Sequence, residues 1–341
     1  QKLKSKIGEV AYRSKLVRQY QGRRVFFENE PDKLQIIASL KERVRKTKHD
    51  LYQLKKVVAT FSPYLEIGAE FGHRAGVLEQ KNKTQGFATD ISLESLKMAP
   101  FFVKKLSLGK VPKRICVDAN NMPFADNSFN FVFCYQTLHH FPDPCLIIEE
   151  VYRVLKPGGY FFVNEEPVKQ SFNLNLWRRP TKLRSFEKLL KFLLILPFLS
   201  RIGKTETGYS ILEEVFDLKT WENSLSKFEN VSLEITPYPF GPHAKVIKKS
   251  TKNWLKPKLH ERLFIFVLGG GIKFLAIKKG FHPSKKSKID NLIVCPKCKV
   301  GLTKNLICPK CRFQYPKVSG VPILIEKGLL KKLYPQYLKH D

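Results

Sequence analysis

The feature that most constrains the fold is an alternation, between residues 64 and 164, of short apolar runs with stretches of helical apolar spacing. Five runs have the length of strands: Tyr64–Ile67, Gln85–Thr89, Arg114–Val117, Phe129–Tyr135 and Tyr160–Asn164. Strands that alternate with helices build a parallel sheet covered on both faces. With two further strands at Val231–Ile235 and Ile272–Lys278, the pattern predicts an α/β fold with a doubly wound, seven-stranded, mostly parallel sheet.

The composition supports a folded chain of more than one domain. Of its 341 residues, 43% are hydrophobic and 12% aromatic, which is enough for a packed core. Collagen-like, coiled-coil and wholly disordered chains are excluded. Seven cysteines, four of them in two CPKC pairs, argue against a secreted disulfide framework, so we expect the reducing cytoplasm.

The charge is unevenly distributed along the chain, whose net charge is +31. Residues 1–56 carry 16 basic and 6 acidic side chains, residues 57–167 carry 11 and 12, and residues 168–341 carry 34 and 12. A nearly neutral module therefore lies between basic flanks. Such flanks attract RNA, DNA or anionic lipid, or they are simply solvated lysines, and both interpretations stay open.

These shifts in pattern and charge predict five segments. They are a basic helical N-terminal extension (1–56), the α/β domain (57–281) with a helical cap inserted at 168–229, a polar linker (282–291), a compact cysteine unit (292–327) and a basic tail (328–341).

Two apolar stretches, Leu189–Leu199 and Leu263–Ile277, are shorter than the ~18 residues of a spanning helix, so we predict no transmembrane span. The second is expected to be core. The first is flanked by Arg184, Lys188, Arg201 and Lys204, which favours a lid over an apolar acceptor or peripheral contact with the inner face of a membrane. An ordinary buried helix of the cap is the alternative.

Three short segments, the strand-end stations, follow three of the predicted strands. The first strand runs into the turn Gly68-Ala69-Glu70-Phe71-Gly72, the second ends at Asp90, and the third ends at Asp118. Glycines let backbone approach a ligand, and a carboxylate at a strand end can accept hydrogen bonds from ribose hydroxyls. Because parallel strands end at one edge, we expect the three stations to form one ligand site.

The same region resembles the class I S-adenosylmethionine-dependent methyltransferases, in particular the quinone-ring C-methyltransferases, which have a Rossmann-like fold. The resemblance rests on LEIGAEFG (65–72), ATDIS (88–92), VDANNMPFADNSFNFVF (117–133), LHHFPDP (138–144) and EVYRVLKPGGYFFV (150–163), in that order and spacing.

The resemblance implies an S-adenosylmethionine site. Its residues would be Glu66, Gly68, Ala69 and Gly72 around the methionine part, Asp90 and Ile91 at the ribose, Asp118 and Ala119 at the adenine, and Tyr135 and Gln136 facing the substrate. Two positions depart from the family: Glu70 stands where glycine is usual, and Asn130 where an acidic residue is common. Of the two, only Glu70 would affect catalysis, because its side chain would either crowd the carboxylate of the cofactor or point to solvent.

Methyl transfer from a sulfonium centre needs orientation first and a base only for some acceptors. Candidate bases are His139 and His140 after the fourth strand, and Glu165 or Glu166 after the fifth, with a loop-capping role for His139 as the alternative. The fourth strand lacks the Asn/Asp-Pro-Pro-aromatic motif of adenine amino-methylating enzymes. Cys145 is expected to be a packing residue rather than a nucleophile.

Two CxxC turns, Cys295/Cys298 and Cys308/Cys311, have the spacing of a structural zinc site. Disulfide or redox pairs are the alternatives. With the following residues to Ile325, they resemble the small zinc-ribbon activators of tRNA and release-factor methyltransferases, in which the ribbon binds and stabilises a catalytic subunit.

The sequence therefore predicts a methyltransferase with S-adenosylmethionine and structural zinc as cofactors, acting on a small or lipid-linked acceptor such as a glycan or quinone. An RNA methyltransferase that docks through its basic flanks and ribbon is one alternative. A non-catalytic scaffold that keeps the fold is the other.

Overall fold

The computed structural model describes residues 2–20, 33–168, 185–193, 195, 209–212, 214–236, 244–248, 254–255, 258–268, 270–281 and 289–338. Ten α-helices lie in these ranges: α1 Lys2–Tyr20, α2 Lys33–Leu54, α3 His73–Asn82, α4 Leu93–Lys97, α5 Ala99–Lys105, α6 Pro144–Val154, α7 Ser185–Phe192, α8 Leu218–Ser224, α9 Leu259–Leu268 and α10 Lys327–Leu333.

The described strands form one sheet. They are β1 Tyr64–Ile67, β2 Gly86–Asp90, β3 Lys113–Val117, β4 Phe129–Tyr135, β5 Leu155–Val168, β6 Asn230–Thr236, β7 Ala244–Lys248, β8 Trp254–Leu255, β9 Gly270–Ile277, β10 Lys317–Val318 and β11 Val321–Leu324. Their order is β10-β11-β3-β2-β1-β4-β5-β9-β6-β7-β8. Strands β1 to β5 pair in parallel, and β9 runs antiparallel between β5 and β6.

The predicted fold class is confirmed, and the seven predicted strands form the consecutive block β3-β2-β1-β4-β5-β9-β6. The predicted number of strands is wrong, because the described part of the chain already contributes eleven strands to the sheet. A hairpin-like pair, β7 and β8, extends one edge, and β10 and β11 of the cysteine unit extend the other. Hydrophobic periodicity does not predict these short strands, because two of them have only two residues each and show no repeat.

The observed ends of the seven predicted strands lie within about two residues of the predicted ends, except at β5. That strand has 14 residues, because the Leu155–Gly159 turn segment and the residues after Asn164 also pair with neighbours. Burial explains why the other strands are easy to recognise: all of β1 and the last three residues of β3 are buried, as parallel strands covered on both faces require.

The N-terminal helices pack against other helices around the end of the sheet: α1 contacts α4 and α10, and α2 contacts α3. Helix α1 buries Val17 against Ile36 and Leu40 of α2 and against Phe71 and Phe102. This places two basic helices over the carboxyl ends of the strands. The predicted cap is described only at α7, Leu193, Ile195, 209–212 and 214–229, so Arg184, Arg201 and Lys204 lie outside the described residues. No helix in the described part of the chain is long and apolar enough to cross a bilayer.

Candidate active site

A cavity of about 420 Å³ opens at the carboxyl ends of β1 to β4. Most predicted site residues line it, namely Gly68, Asp90, Ile91, Asp118, Ala119, Tyr135, Gln136, His139, His140 and Glu165. Glu66, Ala69 and Gly72 lie behind this lining rather than in it. The chain thus brings the three strand-end stations together, as parallel topology requires.

The turn after β1 approaches the loop after β4 very closely. Gly68 has φ +66°, and a Cβ placed on it would come within 2.4 Å of Thr137 Oγ1. Only glycine fits that position, because the backbone is in the left-handed region and because any Cβ would overlap the Thr137 side chain. Behind the turn, the buried Glu66 accepts a hydrogen bond from the Ala75 backbone N–H at 3.0 Å, and burial raises the pKa of Glu66 to about 8.

The Asp90 carboxylate organises the backbone around it. One oxygen accepts the Glu70 N–H and the other accepts the Ser92 N–H, each at 2.8 Å. Burial raises the pKa of Asp90 to about 6, although Arg13 and the two N–H donors act in the opposite direction. Each oxygen keeps a second lone-pair direction, so the carboxylate can still accept a hydroxyl from a ligand in the cavity.

Helix α1 closes one wall of the cavity with cations. Lys6 Nζ lies 2.5 Å from Asp118 Oδ2, and the other Asp118 oxygen accepts the backbone and side-chain N–H groups of Asn120 at 3.1 and 3.0 Å. Asp118, which the resemblance places at the adenine, is therefore held by a lysine that lies 112 positions earlier in the chain.

Glu70, the departure from the family pattern, adopts a left-handed conformation with φ +51°. Its carboxylate pairs with Arg13 of α1 at 3.2 Å and with Arg43 of α2 at 2.8 Å. All three residues line the cavity. Arg13 also pairs with Glu9 at 2.7 Å, and Glu9 lines the cavity too, so the two guanidinium groups balance two carboxylates beside the Gly68 turn.

His139 is oriented by a buried carboxylate. Glu166, fully shielded from solvent, accepts the backbone N–H groups of Thr137, Leu138 and His139 at 2.6, 2.9 and 3.1 Å, and it lies 2.9 Å from His139 Nδ1. Burial alone would raise the pKa of Glu166, but these hydrogen bonds and the imidazole lower it below its ordinary value. With a proton on Nδ1, neutral His139 presents Nε2 as an acceptor.

The remaining candidates occupy the same end of the sheet. His140 Nδ1 lies 3.1 Å from the Leu212 carbonyl oxygen, and Glu165, with φ +64°, pairs with Lys46 of α2 at 2.7 Å. Tyr135 donates its hydroxyl to Asp50 at 3.0 Å. His140 faces a neutral carbonyl and Glu165 is paired with a lysine, whereas His139 faces a buried carboxylate that can stabilise its protonated form, so His139 with Glu166 is the better-organised acid–base pair.

Sequence reasoning missed the cations Lys6, Arg13 and Arg43 and the choice of Glu166 over Glu165. The N-terminal helices were expected to be basic, but nothing local says which surface they cover. The two adjacent glutamates alternate in facing along the strand, and the burial that separates them arises only when β5 packs. Cys145 Sγ lies 3.0 Å from Ser224 Oγ between α6 and α8, outside the cavity lining.

The four ribbon cysteines converge on one point, with their sulfur atoms all within 4.8 Å of one another. In each CxxC turn a backbone N–H points at the first sulfur, from Cys298 to Cys295 at 3.3 Å and from Cys311 to Cys308 at 3.4 Å. Four thiolates at one point suit a tetrahedral metal ion, so the cluster fits a structural metal site.

The segment that follows the cysteine unit contacts the Asp90 loop. Strand β11 pairs in parallel with β3, and beyond it the buried Tyr334 donates its hydroxyl to the Ile91 carbonyl oxygen at 2.6 Å and accepts the Leu93 N–H at 2.9 Å. The C-terminal unit therefore supports the loop that carries Asp90 and Ile91.

Comparison with known proteins agrees with this geometry. Residues 65–163 match a family profile described as a methyltransferase domain. A demethylmenaquinone methyltransferase of Geobacillus kaustophilus is 31% identical over 162 residues, which are 46% of this chain and 64% of that protein. A sterol methyltransferase-like protein of Botryococcus braunii is 32% identical over 109 residues, 32% of this chain and 28% of its own length.

Among solved structures, a methyltransferase of Methanosarcina mazei superposes with a TM-score of 0.42 at 22% identity, covering 66% of this chain and 97% of that one. The chain spans between about a quarter and just under two thirds of the length of these two curated relatives. Residues 65–163 are therefore a methyltransferase domain, and the sheet order and strand-end stations around it are those that the class I, S-adenosylmethionine-dependent resemblance predicts.

Proposed function

We propose that this chain is an S-adenosylmethionine-dependent methyltransferase that acts on a small or lipid-linked acceptor, of quinone-like or glycan-like chemistry. The observation that carries the proposal is the convergence of the Gly68 turn, Asp90 and Asp118 around one cavity in a domain that matches methyltransferases.

The residues around the cavity suit each part of the cofactor. Asp90 would accept the ribose hydroxyls, Asp118 and Ala119 would meet the adenine, and Arg13 or Arg43 would pair with the amino-acid carboxylate beside Gly68. When bound, the cofactor supplies a methyl group on a positively charged sulfur. The chain then has to hold the acceptor in line and exclude water, for which α1 and α2 form the cover.

His139 is the proposed general base for an acceptor that must lose a proton. Its Nδ1 is engaged with Glu166, which sets the tautomer and leaves Nε2 to take the proton. The negative charge on Glu166 also stabilises the imidazolium that results. Glu166 acts through His139 and is a positioning residue.

The acceptor class is supported by the names of the relatives and by exposed apolar surface on two helices. In α7, Leu189 and Phe192 are 58% and 83% exposed, and in α9, Leu259, Leu263 and Phe266 are 83%, 61% and 63% exposed. The prediction that Leu263–Ile277 is core is therefore wrong for Leu263 and Phe266 of α9, although Ile272, Phe274 and Ala276 of β9 are buried. The exposed surfaces of the two helices suit an apolar acceptor or peripheral contact with an anionic membrane, and Lys188 and Arg262 lie beside them. The proposed location is the cytoplasm, at the inner face of the membrane.

We further propose that Cys295, Cys298, Cys308 and Cys311 hold one structural zinc ion. A complete set of four sulfur ligands leaves no position for substrate, which supports a structural rather than catalytic role.

The proposal is tested by calorimetry with S-adenosylhomocysteine and by transfer of a radiolabelled methyl group. We expect binding to the intact chain, and about tenfold weaker binding by Asp90→Asn, because a ribose hydroxyl loses an ionised acceptor. Label should enter a lipid-extractable quinone fraction, and His139→Asn should lower kcat while the dissociation constant for S-adenosylhomocysteine stays the same.

Other outcomes select the alternatives. Label in bulk tRNA instead of the lipid fraction would make the chain an RNA methyltransferase. Absence of cofactor binding would favour a scaffold, although the pairing of Glu70 with two arginines supports a usable site.

A further inference from the structure

A second, larger cavity lies away from the methyltransferase site, in the cysteine unit. This ribbon groove has a volume of about 1240 Å³ and is formed between the CxxC turns and the segment from α10 to Leu338. Its basic lining residues are Lys297, Lys304, Arg312, Lys317, Lys327 and Lys331. Neither aspartate nor glutamate is among the described residues that line it.

The positive charge of the ribbon groove is not compensated locally. All six basic side chains are exposed, and within the described part of the chain Lys297, Lys304, Arg312, Lys317 and Lys331 make no ion pair with a carboxylate. By contrast, the nearby Lys299 lies outside the groove and contacts Asn121 and Met122 of the α/β domain. Several like charges around one concavity repel one another, and a polyanion that enters relieves this repulsion.

Aromatic rings lie among these cations. Phe313 and Tyr337 line the groove and are partly exposed, and Lys327 Nζ lies 5.4 Å from the centre of the Phe313 ring. Single-stranded nucleic acids bind to surfaces on which aromatic rings lie between cations, because the bases stack on the rings and the phosphates pair with the cations. The exposed amides of Asn305 and Gln314 add both donors and acceptors, which suit base edges and the ribose 2′-hydroxyl.

We propose that the ribbon groove binds single-stranded RNA. A bilayer surface is a worse fit, because it needs protruding apolar side chains rather than rings recessed between lysines. The proposal is independent of which acceptor receives the methyl group, since the groove shares no lining residue with the methyltransferase cavity. RNA held there serves as a docking partner, or as the substrate if the label of the transfer assay enters it.

The experiment uses the full chain with zinc and a fluorescein-labelled, mixed-sequence RNA of about 12 nucleotides, within the range of single-strand site sizes. Anisotropy is measured between about 50 and 200 mM salt. The groove variant carries Lys304→Gln, Lys317→Gln and Lys331→Gln. The matched control carries Lys55→Gln, Lys104→Gln and Lys110→Gln, which are exposed lysines outside both cavities and remove the same net charge.

We expect the groove variant to bind RNA at least tenfold more weakly and its salt slope to fall by about two, since each phosphate contact contributes about 0.7. The control should lose little. Phe313→Leu should weaken binding several-fold without changing the salt slope, because stacking releases no counterions. Zinc content and melting temperature establish that each variant is folded.

Three results would overturn the proposal. Equal weakening in the groove and control variants would mean that the overall positive charge binds RNA. Equal affinity for DNA of the same sequence would remove the assignment to RNA. Groove-dependent binding of vesicles with anionic lipid, without groove-dependent RNA binding, would make the surface a membrane contact.

Discussion

At the residue scale, the site places carboxylates where water cannot reach them. Glu66 is the clearest case, because it is buried directly beneath the Gly68 turn and its ionised form has one backbone N–H donor and the partial help of Arg74. A carboxyl group with a raised pKa binds its proton more tightly in the folded state than in the unfolded state. Folding stability then depends on pH in a window above the ordinary carboxyl pKa.

We predict that the contribution of Glu66 to the free energy of unfolding falls as pH rises from about 4.5 to about 8, the interval between the ordinary and the folded pKa of Glu66. In this interval the folded state holds the extra proton, so raising the pH favours unfolding. Glu66→Gln should flatten the slope, whereas Glu66→Asp, which keeps a carboxyl group, should retain it. Urea titrations at several pH values measure this, and an unchanged slope in Glu66→Gln would contradict the assignment.

A second prediction separates backbone strain from steric overlap at the cofactor turn. Gly68→Ala and Gly109→Ala both place alanine at positive φ, +66° and +79°, but only the Gly68 Cβ meets a neighbour, Thr137. We expect Gly109→Ala to cost about 1 kcal/mol of stability and Gly68→Ala roughly 2–4 kcal/mol with loss of S-adenosylhomocysteine affinity. Equal costs in denaturant titrations, with affinity retained, would mean that the turn adjusts.

At the element scale, the cysteine unit is part of the sheet rather than an appendage. Strand β11 pairs with β3 through Ile323–Cys116 and Leu324–Val117, and it continues into α10, which contacts α1. The proposed zinc site would therefore stabilise an edge of the methyltransferase sheet, because the ribbon has too small a core to order β11 alone.

We predict that Cys295→Ser with Cys298→Ser abolishes zinc binding and exposes the β3 edge. Hydrogen exchange of residues 113–117 should become faster, while exchange of β6, at the far side of the sheet, should stay as it is. Metal analysis of the reduced intact chain should find about one zinc per molecule. Unaltered exchange at β3 in the metal-free variant would show that β11 docks without the ribbon fold.

At the scale of the whole molecule, the described N-terminal and C-terminal segments meet beside the cavity proposed to bind the cofactor. Helix α1 contacts both α4 and α10, Lys6 reaches Asp118, and Tyr334 holds the loop from Ile91 to Leu93. A ligand that orders the Asp90 loop and the cavity wall should therefore stabilise both ends together.

We predict that saturating S-adenosylhomocysteine slows hydrogen exchange in residues 2–20 and in residues 327–337, although the two segments lie at opposite ends of the sequence. Tyr334→Phe should remove the hydroxyl bridge and reduce the C-terminal protection, and cofactor affinity should fall several-fold. The exposed Tyr52→Phe is the matched control and should behave as the parent chain. Protection confined to residues 2–20 would mean that the C-terminal unit is not coupled to ligand binding.

The sequence alone determined the parallel sheet and the edge at which its polar strand ends meet. Buried parallel strands are runs of apolar residues whatever surrounds them, and their carboxyl ends lie at one edge of the sheet. Asp90 and Asp118, which follow two such strands, therefore lie close together at that edge. The paired CxxC turns likewise need only local chain geometry to bring two sulfur atoms close.

Only the tertiary structure decided what covers that site. Lys6 lies 112 positions from Asp118, and Tyr334 lies 241 positions from Leu93, so no local sequence pattern predicts either contact. The same holds for Glu166, whose burial separates it from its neighbour Glu165 once β5 and the loop after β4 are in place. Local periodicity determines which face of an element is apolar, whereas the partner of that face depends on the shapes of surfaces that exist only after the chain has folded.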